Sequence, residues 1–178
     1  MCERDQKPEI VAKSGVQIVH LGPDSWQILR DLKIRSLTQE PVAFEDQKPG
    51  LRRYKRRTEA EWRKKLDEEA SKTVSLFAKD GNNYIGMVNG VVRNERFAEV
   101  QHMYVDSGHR GQKIGGKLLD TLLFELKKRG AEIAILNVVV GQNSAIGTYT
   151  SRGFIKIGEE PAKRGNDTVT ELIMAKRL

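Results

Sequence analysis

Residues Arg110 to Gly116 read R-G-Q-K-I-G-G. Just upstream, Phe97–Val105 alternates Ala98 and Val100 with Glu99 and Gln101, as a strand with one covered face does. Just downstream, Ile114, Leu118, Leu119, Leu122, Leu123 and Leu126 recur at helical spacing through Ile114–Arg129. Gly130 then stands where a left-handed helix cap is expected. The glycine-rich stretch is therefore a strand-to-helix turn. The first N–H groups of a helix have no partner within it, and the helix dipole adds partial positive charge at the same end. Such a turn is a phosphate site built from backbone. Its candidate members are Arg110, Gly111, Gln112, Lys113, Ile114, Gly115 and Gly116.

The turn alone leaves its ligand open. Gly111, Gly116 and Lys117 fit a P-loop, but Leu118 stands where a Ser or Thr hydroxyl would hold Mg²⁺. A plain glycine-rich connection with no ligand fits as well.

Composition narrows the class. The 178 residues suit one domain with a proper core: a frayed tail over 1–15, then a single domain over 16–178. Hydrophobic residues make up 38% and charged residues 31%, as in a soluble globular protein. No apolar run reaches the length of a membrane span, so no membrane partner is expected. No secretory signal is visible, and the one cysteine, Cys2, fits a reducing compartment, so a cytoplasmic location is expected. His20, His102 and His109 show no metal-ligand spacing, and no metal is expected. The net charge of +7 is partly local, because Leu51–Arg57 reads L-R-R-Y-K-R-R. That run suits nucleic acid or an acidic partner, but equally a solvated helix start. Only Tyr54 interleaves it, so nucleic acid is not the expected partner.

Around the turn, the pattern reads as a mixed sheet. Val16–Leu21 is a short strand, and Trp26–Leu37 is a helix carrying Ile28, Leu29, Leu32 and Leu37. Glu40–Leu51, with Pro41, Pro49 and Gly50, reads as irregular. Thr58 and Glu61 form a capping box before a helix with Trp62, Leu66 and Ala70 on one face. Thr73–Ala78 and Tyr84–Val92 form a hairpin about D-G-N-N. Ile133–Val140 is an almost continuously apolar strand, and Asn143–Arg152 a short helix closed by Gly153. Phe154–Gly158 and Thr168–Ala175 are last strands joined by a polar loop, Glu159–Asp167. The fold class is α+β: a mixed, mostly antiparallel central sheet flanked by helices.

Four segments carry a resemblance. Phe97-Ala98-Glu99-Val100, then Met103-Tyr104-Val105-Asp106, then the turn and Leu118-Leu119, resemble the core motif of the GNAT N-acetyltransferases. Ala145-Ile146, Tyr149 and Gly153-Phe154 look like that family's A-I-x-x-Y-x-x-x-G-F segment, and Pro41-Val42-Ala43-Phe44 is similar to a loop after its first helix. The resemblance runs roughly from Val16 to Leu178. It implies the GNAT fold, acetyl-CoA as co-substrate and an amine acceptor, either a small molecule or a protein amine. It implies direct attack in a ternary complex, with no acyl-enzyme; Cys2, in the expected tail, is a poor nucleophile candidate. Homodimers are common in the family, although no interface is legible here. A non-catalytic module of the same fold, binding nucleic acid through Arg52–Arg57, is the alternative.

Two departures stand out. Lys113 occupies the position of the family's first loop glycine. If that position needs a positive φ, lysine costs about 1–2 kcal/mol; with ordinary helical angles it places an ammonium near the diphosphate. Gln142 stands where the family usually has an asparagine for the pantetheine arm, and the adjacent Asn143 serves after a one-residue shift.

The implied roles follow. The turn amides hold the phosphates, and a backbone N–H within Met103, Tyr104 and Val105 stabilises the thioester oxygen. An acceptor amine with a pKa of about 10 is mostly protonated at pH 7, which puts about 4 kcal/mol between it and its reactive form. Glu99, a charged residue mid-strand, matches a glutamate base of part of the family; a surface ion pair is its other reading. Asn137 stands where other relatives place a glutamate, and an amide cannot take the proton. Tyr149 matches the family's general acid to the departing thiolate. His102 should face away from Glu99 by alternation, and both His102 and His109 read as structural. Pro41–Gly50 and Glu159–Asp167, with Phe44, Glu45, Asp46, Glu159 and Glu160 mixed with Lys48, Lys163 and Arg164, border the acceptor side.

Overall fold

A computed structural model describes residues 15–44, 50–68, 72–164 and 166–178. The expected tail falls, but for Gly15, outside the described residues, as do Glu45, Asp46, Lys48 and Ala70. Seven strands form one sheet: β1 (Gln17–Val19), β2 (Thr73–Asp80), β3 (Asn83–Val92), β4 (Phe97–Val105), β5 (Ile133–Val139), β6 (Ile155–Arg164) and β7 (Asp167–Arg177). Their spatial order is β1-β2-β3-β4-β5-β7-β6. Every neighbouring pair is antiparallel except β4–β5. The expected mixed, mostly antiparallel architecture is what the chain forms.

Helices cover both faces. α1 (Trp26–Gln39), the short turns α2 (Pro41–Phe44) and α3 (Gly50–Arg56), and α4 (Glu59–Glu68) precede the main hairpin. Leu29 and Leu32 of α1, with Trp62 and Leu66 of α4, pack with Phe77, Met87 and Tyr104 on one face of the sheet. On the other face α5 (Ile114–Lys128) buries Leu118, Leu119, Leu122 and Leu126 against Val74, Leu76, Val88, Ala98 and Val100. α6 (Asn143–Thr150) adds Tyr149 to that core. No helix among the described residues is long and apolar enough to cross a membrane.

Local chemistry fixes these elements. The β2–β3 turn pairs Asp80 with Asn83 around Gly81 at φ +55, a tight turn that glycine adopts without strain. α4 starts with a reciprocal capping box: the Thr58 N–H donates to Glu61 Oε2 (2.7 Å) and the Glu61 N–H to Thr58 Oγ1 (3.3 Å). α5 lies close on β3 because Gly90 has no side chain; a Cβ there would sit 2.8 Å from Leu122 Cδ1.

Two irregularities shape the site. β4 and β5 pair only at Phe97↔Ile133, Ala98↔Ala134 and Glu99↔Ile135, after which the strands part. Within the parted stretch, β4 carries a bulge. Its register on β3 passes from Tyr104↔Met87 to Gln101↔Asn89, so His102 and Met103 together oppose Val88. His102 takes φ +52 there.

The sequence reading is corrected in two places. Glu159–Asp167 is not a loop: β6 and β7 form one long hairpin paired as far as Arg164↔Asp167. β6 is an edge strand exposed along most of both faces, so it shows no alternation, and an edge tolerates Pro161. Within Glu40–Leu51, Pro41–Phe44 forms a helical turn and Gly50 opens α3.

Candidate functional site

A cleft of ≈ 600 Å³ opens where β4 and β5 part. Its walls are Glu99 to Val105 on one side and Asn137 to Val139 on the other, with the Arg110–Gly116 turn at one end and Gln142 and Tyr149 from the α6 region across from it. Glu40, Ala43 and Phe44 close it from the α1–α2 side. The structure thus brings together the catalytic candidates Glu99 and Tyr149 and most of the expected binding residues. Gln112 and Asn143 are exposed and lie outside the lining; Gln142 is the one of the amide pair that faces the cleft.

The turn has the geometry of an anion cradle. The first intrahelical bond of α5 runs from the Lys117 N–H to Lys113 O (3.1 Å), so the N–H groups of Ile114, Gly115 and Gly116 have no helical acceptor. Gly111 and Lys113 both take positive φ, +78 and +61. Of the two alternatives left open for Lys113, the left-handed one holds. Arg110 is committed elsewhere: its Nε donates to Val105 O (3.1 Å) and its Nη1 to Glu40 (2.7 Å). Arg152 braces the first turn of α5, donating to Gly116 O (3.2 Å) and Asp120 Oδ1 (2.8 Å). Leu118, the position of a P-loop's metal ligand, is wholly buried in the core and offers no oxygen.

Strand alternation sorts the backbone donors of β4. The Asp106 N–H donates to Ile85 O (2.8 Å) on β3. The Tyr104 N–H therefore faces β3 as well, and those of Met103 and Val105 face the open side. The Tyr104 side chain points toward α1, where its hydroxyl donates to Asp106 Oδ1 (2.5 Å). Burial, then that carboxylate, push the Tyr104 phenol well above its usual pKa. Arg35 completes the tie, reaching Asp106 (2.5 Å) and Tyr84 O (2.6 Å). This network fixes the end of β4 against α1.

Tyr149 is buried edge-on against Phe154, with ring centroids 5.9 Å apart. Burial pushes its phenol well above the usual value, which makes it a weaker acid than a free tyrosine. Glu99 is half-exposed and paired with Arg93, whose Nε (2.9 Å) and Nη2 (2.5 Å) both bond Oε2. The ion-pair reading of Glu99 is thus realised, while Oε1 takes neither bond.

The bulge reverses one expectation. Met103 packs with Val105 on the α5 face, so its neighbour His102 turns to the opposite face, the one α1 and α4 cover and the face of Glu99. The His102 Nδ1 is buried without a partner. Burial, then the charges of Lys33 and Lys65, hold its pKa well below the usual histidine value. Sequence reasoning also missed Glu171, a buried carboxylate in the cleft wall, bonded to Arg164 and to Asn137 Nδ2 (3.2 Å). The same Asn137 amide reaches Glu160 Oε1 (2.6 Å), so Asn137 bridges two carboxylates. The only available signal was its place on a strand one position from the apolar face. Glu159 is spent on Lys156 (2.5 Å) at the surface.

Comparison with known proteins agrees with this geometry. A family model described as the acetyltransferase (GNAT) family matches residues 33–154. N-acetyltransferase 8 of Homo sapiens is 32% identical over 87 residues, 46% of this chain; the chain spans only 38% of that relative. Among solved structures, PaiA N-acetyltransferase from Thermoplasma acidophilum in complex with coenzyme A is similar over 92% of this chain and 99% of its own, with TM-score 0.72 and 17% identity. Ribosomal-protein-S5-alanine acetyltransferase from Vibrio fischeri is similar over 91% of this chain and 92% of its own, with TM-score 0.76 and 13% identity. At such identities the likeness shows the fold.

Proposed function

This chain belongs to the acetyltransferase (GNAT) family, and on that premise we propose that it moves an acetyl group from acetyl-CoA to a primary amine by direct attack inside the β4–β5 cleft. The observation that carries the reading is the parting of β4 from β5 beyond Glu99, with the unpaired amides of α5 at the mouth of the gap. A wedge of this kind leaves main-chain groups for an extended arm to pair with, much as a strand would.

Acetyl-CoA, once bound, supplies a thioester carbonyl. The N–H groups of Ile114, Gly115 and Gly116 hold the diphosphate. Met103 and Val105 offer N–H groups to the arm and to the carbonyl oxygen as negative charge develops there; one such donor contributes about 3 kcal/mol to the transition state. Gln142 offers its amide to the arm. As the amine forms the C–N bond and the C–S bond breaks, Tyr149 gives its phenolic proton to the sulfur. The proton lost by the amine passes through water to Glu99 Oε1. Tyr149 is protonated at neutral pH as any phenol is, and because burial makes its phenolate costly, the transfer follows the negative charge that develops on sulfur. A similar fold is named for acetylating a ribosomal-protein alanine, which puts a protein α-amine beside small amines as an acceptor to screen.

An amine panel scored by thiol release from acetyl-CoA tests the reaction. Tyr149→Phe is expected to lower kcat about 10²-fold with acetyl-CoA affinity close to wild type; unchanged turnover would remove Tyr149 from the mechanism. Acetyl-CoA at a hundred times its Kd should add about 2.7 kcal/mol of stability, whereas ATP–Mg²⁺ should add none.

A further inference from the structure

Lys113 gains nothing inside the chain from the place it occupies. It is the N-cap of α5 but makes no side-chain cap bond. Its φ of +61 is a region that glycine enters without cost and lysine does not. Strain of this kind clusters at ligand clamps and switch regions. The neighbouring cations have other work: Arg110 is bonded to Val105 O and Glu40, and Arg152 to Asp120 and Gly116 O. Among the described residues, the exposed Lys113 side chain has no hydrogen bond or ion pair, and it lines the cleft, while Lys117, one turn on, does not. The turn therefore presents an uncommitted ammonium beside three backbone N–H groups without helical acceptors.

We propose that Lys113 is a phosphate-contacting residue, its ammonium holding a phosphate of the bound CoA carrier in a position where the backbone alone would favour glycine. The claim rests on the acetyl-CoA reading above and adds a charged side chain to a grip otherwise made of main chain. CoA offers two sources of the same chemistry, the diphosphate and the 3′-phosphate. Lysine acts as a point charge toward either.

Calorimetric titration of wild type, Lys113→Gly and Lys113→Gln with CoA and with dephospho-CoA tests this, alongside melting of each protein without ligand. Both variants should lose about tenfold in CoA affinity, the scale of one charge-assisted contact. Without ligand, the glycine variant should melt about 2 °C above wild type because the backbone strain is relieved, and the glutamine variant should not. An equal loss with dephospho-CoA assigns the contact to the diphosphate; a loss seen only with CoA assigns it to the 3′-phosphate. Equal affinities in all three proteins would overturn the proposal, as would a loss in the glycine variant alone. Wild type that binds neither ligand would instead bring down the acetyl-transfer reading itself.

Discussion

His102 takes a left-handed backbone angle in the middle of a strand, and its buried imidazole feels the charges of Lys33 on α1 and Lys65 on α4. Burial and both lysines disfavour its charged form, so its folded pKa lies below the ordinary 6.5. The sign follows directly. As pH falls through about 6.5, the unfolded chain takes up a proton that the folded chain refuses, and stability drops by up to about 1.36 kcal/mol per pH unit. Thermal melts between pH 7 and pH 5 should show this slope. His102→Asn, a residue that tolerates positive φ, should flatten it; an unchanged slope would clear His102 of the effect. Alternation in the sequence put this side chain on the opposite face. One extra residue in β4 reversed it, and nothing in the letters Q-H-M announces a bulge. Glu99 was legible as a charge in an otherwise half-apolar strand, but its Arg93 partner was not, because the two meet only through the β3–β4 turn. Glu99→Gln should lower kcat while leaving acetyl-CoA affinity alone, read by steady-state kinetics across pH.

Elements built on a strong local period were read almost to the residue. Phe97–Val105 came out as expected, and the leucine stripe of α5 packs as its spacing requires. The capping box of α4 was equally plain, and Thr58→Ala should cost about 1 kcal/mol in a denaturant titration. Elements whose identity depends on distant partners were less legible. β6 shows no alternation because it is an edge strand, so its charges read as a loop. The approach of α5 to the sheet was invisible too, although it is recorded in two glycines. A Cβ at Gly86 would meet Tyr104 O at 2.8 Å, and one at Gly90 would meet Leu122 and Leu126. Carbonyls of a paired strand cannot rotate away as leucine ends can. Both alanine substitutions should destabilise by about 1–3 kcal/mol, with Gly86→Ala the larger. The reverse order would mean that the core leucines are held more tightly than the β3–β4 ladder.

At the scale of the molecule, the sheet is continuous on both flanks and opens at a single parallel seam between β4 and β5. α5 is the crossover that joins those two strands, so its N-terminus stands at the mouth of the opening it creates. One topological feature thereby sets the unpaired α5 amides, the exposed strand amides and Tyr149 along a single path. The sequence carried the parts of this path in order, through the turn, the strand before it and the tyrosine after it. Its width and the polar wall of Asn137 and Glu171 arise from strands far apart in the chain. Amide hydrogen exchange with and without acetyl-CoA tests the central claim most directly. Protection should rise at Met103, Val105 and Ile114 to Gly116, and stay level at Phe97 to Glu99, which already pair with β5. Protection appearing elsewhere on the sheet while those amides stay unchanged would contradict a carrier lying in the seam.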